Sequence, residues 1–269
     1  MLSSSLGTAL ITGASSGIGA LYADRFAARG YDLILVARSQ SRLGTLARQL
    51  TEQHAGRSIR VFPADLNDRS QLRKVEALIR ESETLSVLIN NAGFGSTAPL
   101  LQSDLDRMDE MISLNVTALT HLSYAAASGF VARQSGAIIN IASIAAIAPE
   151  LLSGVYGGTK AYVLALTLSL NHELGKQGVQ VQAVLPSAVA TDFWEIAGKP
   201  VNSLPAHIVM SASNLVDAAL AGFDMGELIT LPSLPNAADW QAYEAARQEL
   251  LPNLSRAIPA DRYTLRAPT

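Results

Sequence analysis

The sequence predicts an α/β fold: one domain with a doubly wound, mostly parallel seven-stranded sheet and helices on both faces. Three observations carry this. Short β-branched runs alternate with longer helical stretches along the whole chain. The runs span about five residues and are apolar throughout, the pattern of strands covered on both sides. No repeat or low-complexity linker interrupts the alternation over 269 residues, a length that suits one large domain.

The elements follow in order. Thr8–Thr12 reads as the first strand, and Gly17–Arg29 as a helix stopped by Gly30. Leu33–Ala37, Ile59–Pro63, Ser86–Asn90, Gly136–Ile141 and Val179–Leu185 read as further strands, with Glu227–Leu231 the seventh. Helices are predicted over 41–54, Ser70–Glu81, Leu105–Arg133 and Val155–Leu174. The segment from about 191 to 213 is irregular and carries Pro200 and Pro205. A connection of that length reads as a lid over a site. A proline-rich tail follows from about 232 to 269, with one helical stretch over Ala237–Leu250.

Composition removes several function classes. Net charge is −3 with no basic block, which argues against nucleic acid. Without cysteine there is no disulfide scaffold, thiolate metal site or cysteine nucleophile. His54, His121, His172 and His207 are scattered, and no carboxylate cluster suggests a metal, so none is expected. No leader is read at the N-terminus. The longest apolar stretch, Ala137–Ala148, is broken by Asn140 and Ser143 and is too short for a bilayer. The expectation is a cytoplasmic protein with no membrane partner. Between Ala161 and Leu170 the predicted helix is apolar nearly all round. Such a helix is buried on more than one side, and a homodimer or homotetramer is expected on that ground.

The chemistry begins with TGASSGIG, Thr12–Gly19, between the first strand and the first helix. Gly13, Gly17 and Gly19 allow a tight turn and close backbone approach. Together with Ser15, Ser16 and Ile18 they place a helix N-terminus where a pyrophosphate binds, the Rossmann-type dinucleotide arrangement. The end of the second strand decides which dinucleotide. An acid there would bind the ribose 2′-hydroxyl of NAD, but the residues are Ala37 and Arg38. Arg38, with Arg42 one turn on, suits the 2′-phosphate of NADP(H). Asp32 lies at the wrong end of that strand and reads as a solvated turn residue.

Tyr156 and Lys160 are one helical turn apart and share a face. Ser143 follows the fifth strand, at the sheet edge where ligands bind. A nearby ammonium and a nicotinamide cation would lower the tyrosine pKa, and Tyr156 would then exchange protons with a substrate oxygen held by Ser143. Tyr-x-x-x-Lys alone arises by chance, and Tyr22, Tyr124 and Tyr162 read as packing residues. Phe94, Leu151, Phe193, Trp194 and Ile196 are candidates for an apolar pocket wall, equally readable as core or lid packing.

These motifs together resemble the short-chain dehydrogenases/reductases, from about Leu6 to Leu231. The resemblance makes Asn115, Ser143, Tyr156 and Lys160 a catalytic set, with Asn115 anchoring a proton-relay water and Lys160 also holding the nicotinamide ribose. It places Asp65 and Leu66 at the adenine, and Asn91, Ala92 and Gly93 along the cofactor. It sets Pro186, Val189 and Thr191 at the carboxamide end. Ser187 departs from the usual glycine, which puts backbone fit there in question. The implied activity is hydride transfer between NADP(H) and a carbonyl or secondary alcohol, in the direction of reducing a hydrophobic ketone or aldehyde. Alternatives are a fatty-acid-type 3-ketoacyl reductase, a nucleotide-sugar epimerase or dehydratase, and a catalytically silent NADP-binding regulator.

Overall fold

The computed structural model describes residues 6–263. One unit ends at Pro232 and a second begins at Ser233.

The first unit is built on a seven-stranded sheet. Its strands are β1 (Thr8–Thr12), β2 (Asp32–Ala37), β3 (Ile59–Pro63), β4 (Leu85–Asn90), β5 (Gly136–Ile141), β6 (Val179–Val184) and, last in the chain, β9 (Ile229–Thr230). Their order is β3-β2-β1-β4-β5-β6-β9, and every pairing is parallel. The mostly parallel seven-stranded sheet expected from the sequence is thus parallel at every pairing. The helices are α1 (Gly17–Ala28), α2 (Gln40–Gln53), α3 (Arg69–Glu81), α4 (Leu105–Ile112), α5 (Leu119–Arg133), α6 (Gly154–Leu174), α7 (Phe193–Ile196) and α8 (Ala212–Asp224).

Strand alternation sorts the core into two layers. Ala9, Ile11, Leu33, Leu35 and Ile139 face α1, α2 and α8, where Phe26, Leu43, Leu50 and Leu220 are buried. Leu10, Ile34, Leu88, Ile138 and Val181 face α3, α5 and α6, with Val75, Leu122, Phe130 and Leu170. Because β1 lies between β2 and β4, the chain order reverses beside it. The carboxyl ends of β1 and β4 diverge there and open the crevice in which such folds hold ligands.

Five local readings change. The long helical stretch is two helices joined by a π-helical turn, Ser113–Ala118. The seventh strand is only two residues long. A two-stranded parallel ribbon, β7 (Ala188–Ala190) with β8 (Val209–Ser211), frames the irregular segment and was not predicted. Asp32 is no solvated turn residue: it opens β2, half-buried, and accepts the Ser58 N–H at 2.8 Å. Of the three packing tyrosines only Tyr22 is core, whereas Tyr124 and Tyr162 are exposed.

The second unit holds α9 (Ala237–Leu250). Asn236 caps it by accepting the Ala238 N–H, and Trp240 stacks on Tyr243. Among the described residues no helix is long and apolar enough to cross a membrane.

Candidate active site

The glycine turn is fixed from β4. Gly13 and Gly17 have φ of +64° and +54°, conformations costly for residues with a Cβ. A Cβ on Gly13 would also lie 2.8 Å from Asn91 Nδ2. Asn91 donates both amide hydrogens to the turn, to Thr12 O at 2.9 Å and Gly13 O at 3.2 Å. Thr12 Oγ1 in return accepts the N–H groups of Asn91 and Ala92, each at 3.0 Å. Asn91 thus ties β1 to β4 beneath the crevice, and its amide N–H groups are spent on protein.

Beyond the turn, α1 starts at Ser16 without a side-chain cap and without an acid in its first turn. Its leading N–H groups face no competing protein acceptor of that kind, which suits an anionic ligand. Arg38 and Arg42 are exposed at the end of β2 and the start of α2. Neither is in a salt bridge among the described residues. Farther along the edge, Asp65 Oδ1 accepts the Asn67 N–H at 3.0 Å and Leu66 is buried. On the other side, a Cβ at Gly17 would come within 3.3 Å of Thr191 Cγ2, so Thr191 lies against the turn. Val189 O accepts the Trp194 indole N–H at 3.0 Å, and Pro186 O accepts the Ile144 N–H at 3.0 Å. Ser187 is half-buried beside them.

Ser143, Tyr156, Lys160 and Asn115 converge at this edge, and all four are buried. Ser143 ends the β5 run in extended backbone and accepts the Ala145 N–H at 3.1 Å. Tyr156 lies in the first turn of α6, whose cap Ser153 accepts its N–H at 3.3 Å. Burial pushes the Tyr156 phenol up to about 12, against the pull of a hydrogen bond with Ser143. The expected lowering by Lys160 is not present in the protein alone. Lys160 Nζ stands 5.8 Å from the Tyr156 ring centroid and donates to Ile141 O at 2.8 Å. Burial lowers its own pKa to about 8. An ammonium has three hydrogens, and Ile141 O is its one hydrogen-bond partner among the described residues. The donors that remain fit vicinal ribose hydroxyls.

Asn115 sits in the π-helical turn. Its amide donates to Phe94 O at 2.9 Å and Thr159 Oγ1 at 3.1 Å, and its Oδ1 accepts the Phe94 N–H at 3.1 Å. Its side-chain donors are therefore engaged by protein. Thr159 Oγ1 also donates to Tyr156 O at 2.8 Å, so Asn115 is braced against α6. Sequence reasoning missed Thr159; a polar β-branched residue between Tyr156 and Lys160 was the available signal. Gly93 leaves space here, since a Cβ would lie 2.8 Å from Asn115 Oδ1 and 3.6 Å from Lys160 Nζ.

The five pocket-wall candidates separate. Phe94 is buried beside Tyr156, Met108 and Met111, and Phe193 packs on the same cluster. Trp194 is buried as the anchor of α7, while Leu151 and Ile196 are exposed.

The comparisons agree with this geometry. A profile of the family described as short chain dehydrogenase matches residues 7–200. A solved short-chain dehydrogenase from Sphingobium yanoikuyae in complex with NADPH is 48% identical, covering 96% of this chain and 100% of that one, with a TM-score of 0.93. A bulky-bulky ketone specific alcohol dehydrogenase from Comamonas testosteroni is 45% identical, over 97% and 99% of the two chains, with a TM-score of 0.89. A very-long-chain 3-oxoacyl-CoA reductase of Anas platyrhynchos is 33% identical over 193 residues, 70% of this chain and 62% of that protein. With its parallel sheet, its glycine turn and the convergence at the strand ends, the chain belongs to the short-chain dehydrogenase family and is an oxidoreductase.

Proposed function

We propose that this protein is an NADP(H)-dependent carbonyl reductase acting on hydrophobic ketones or aldehydes. The observation that carries the proposal is the buried cluster of Ser143, Tyr156 and Lys160 beside an uncapped helix N-terminus. The donor set fits the cofactor: α1 for the pyrophosphate, Arg38 and Arg42 for the 2′-phosphate, and Lys160 for the ribose. When bound, NADPH supplies the hydride.

The chain's own residues supply the rest. Ser143 orients the carbonyl oxygen by donating its hydroxyl hydrogen. Tyr156 gives that oxygen a proton, and its raised pKa keeps the proton available at neutral pH. The positive charge of Lys160 favours the phenolate that remains. Asn115, through Thr159 and Phe94, ties the start of α6 to the loop after β4.

Two features support bulky ketones over acyl thioesters. The ketone-specific relative aligns over 97% of the chain, so the likeness includes the second unit, whereas the 3-oxoacyl-CoA reductase aligns over 70%. The apolar cluster of Phe94, Met108, Met111 and Phe193 beside Tyr156 suits an uncharged substrate. The oxoacyl reading stays as the second one and is separated by assaying a 3-oxoacyl thioester beside a diaryl ketone. Self-association through α6 belongs to the same proposal.

The cofactor assignment is tested with Arg38→Asp. The substitution removes a cation from the proposed 2′-phosphate site and adds a carboxylate that accepts a hydrogen bond from a ribose 2′-hydroxyl. The expected result is a loss of at least about tenfold in kcat/KM with NADPH, equal to about 1.4 kcal/mol, with NADH affected far less. Equal losses with both cofactors would overturn the assignment.

A further inference from the structure

Gly95 stands where the loop after β4 meets the lid and the catalytic helix. A Cβ built there would lie 2.5 Å from Phe193 Cζ, 3.0 Å from Phe193 Cε2 and 3.2 Å from Tyr156 Cδ2. The backbone of Gly95 is not among those with positive φ, so alanine is conformationally acceptable. Glycine is needed at this position for space alone. The ring it admits packs on Tyr156, with centroids 5.6 Å apart, and meets Trp194 edge-on at 5.6 Å.

The lid residue cannot simply retreat. Trp194 is held through its indole N–H on Val189 O at 3.0 Å. On the far side of α7, Ala197 O accepts both the N–H and the hydroxyl of Thr97, each at 2.9 Å. Tyr156 is buried in α6 and equally fixed. Extra volume at position 95 must therefore displace the Phe193 ring, and with it the packing beside Tyr156.

We propose that Gly95 is a specificity-determining residue: its missing side chain parks the Phe193 ring, and the parked ring sets the size of the ketone substituents admitted to Tyr156. The inference rests on the carbonyl-reductase reading above and names the part of that site which measures substrate bulk.

The test compares a diaryl ketone (benzophenone) with a methyl ketone (acetone), as the ratio of their kcat/KM values. Gly95→Ala lowers the ratio at least about tenfold, a common size for a one-methylene misfit. Phe193→Ala raises it, and the double variant matches Phe193→Ala within about twofold, as coupled neighbours require. A second readout needs no turnover. In a Trp240→Phe background Trp194 is the one tryptophan left, and Gly95→Ala shifts its emission by moving the ring against it. An unchanged ratio, or a Gly95→Ala defect that persists without the Phe193 ring, overturns the proposal, as does unchanged Trp194 emission. A protein that reduces neither ketone overturns the carbonyl-reductase reading instead, and the emission still decides whether Gly95 positions Phe193.

Discussion

Burial makes Lys160 a costly residue for the fold at neutral pH, whereas Tyr156 carries no such cost while its phenol is neutral. Each is almost fully buried, and each is shifted by desolvation toward its neutral form. For Lys160 the pKa in the fold, about 8, is below the ordinary 10.5. The burden of burying its ammonium is fully present below about pH 8 and fades as pH rises through the unfolded value near 10.4. Tyr156 has the opposite sense. Its contribution is present below its ordinary 10.0 and is lost as pH climbs toward about 12. Lys160→Met therefore melts higher than the parent at pH 7 in the absence of cofactor, by about 2–4 °C per kcal/mol gained, and the gap narrows toward pH 10. A lower melting temperature at pH 7 would contradict this. At this scale the placement of the proposed catalytic residues was legible, because Ser143, Tyr156 and Lys160 are set by element ends and helical spacing. The sign of the Tyr156 shift was not, since it depends on how completely the phenol is covered. The engagement of Asn115 with Phe94 and Thr159 was also beyond sequence, because it joins three separated segments.

The elements hold those residues in place through polar contacts that local patterns do not reveal. Asn90 and Asn140 stand opposite each other on β4 and β5, and Asn90 Nδ2 donates to Asn140 Oδ1 at 2.9 Å. The chain continues outward, from Asn90 to Ser123 on α5 and from Asn140 to Thr167 on α6, each at 3.0 Å. In sequence Asn140 interrupts an apolar run; in the fold it ties α6 to β5. The ribbon of β7 and β8 escaped notice because three-residue strands carry too little periodicity to register. The apolar character of α6 was visible, and the fold gives it a face. Gly158, Tyr162, Ala165 and Ser169 line one exposed, uncharged side of the helix. Tyr162 hydroxyl meets Thr120 of α5 at 2.9 Å, extending that face across two helices. An uncharged face of this kind fits a second copy of the chain. Light scattering of the parent at micromolar concentration should give a multiple of the chain mass, and Ala165→Glu should reduce it to a single chain. A parent that is already monomeric would contradict the self-association.

At the scale of the whole molecule, one parallel sheet brings distant pieces of sequence to a common edge. Thr12–Gly19, Asn91–Gly93 and Ser143 lie at the ends of β1, β4 and β5, so their convergence follows from the strand order and not from proximity in the chain, while Thr191 follows β7 of the separate ribbon. That is why motif order along the sequence sufficed to predict the fold. In the second unit, beginning at Ser233, the helix was legible over Ala237–Leu250. The proposed reaction depends above all on the Tyr156 hydroxyl as the proton donor at this edge. It is tested most directly by following NADPH oxidation with a diaryl ketone in Tyr156→Phe, alongside NADPH binding by fluorescence. The predicted result is a fall in kcat of at least about a hundredfold, the lower end of what a general acid contributes, with NADPH affinity within about threefold of the parent, less than the 1.4 kcal/mol of a tenfold change. Turnover close to that of the parent, with NADPH still bound, would contradict it.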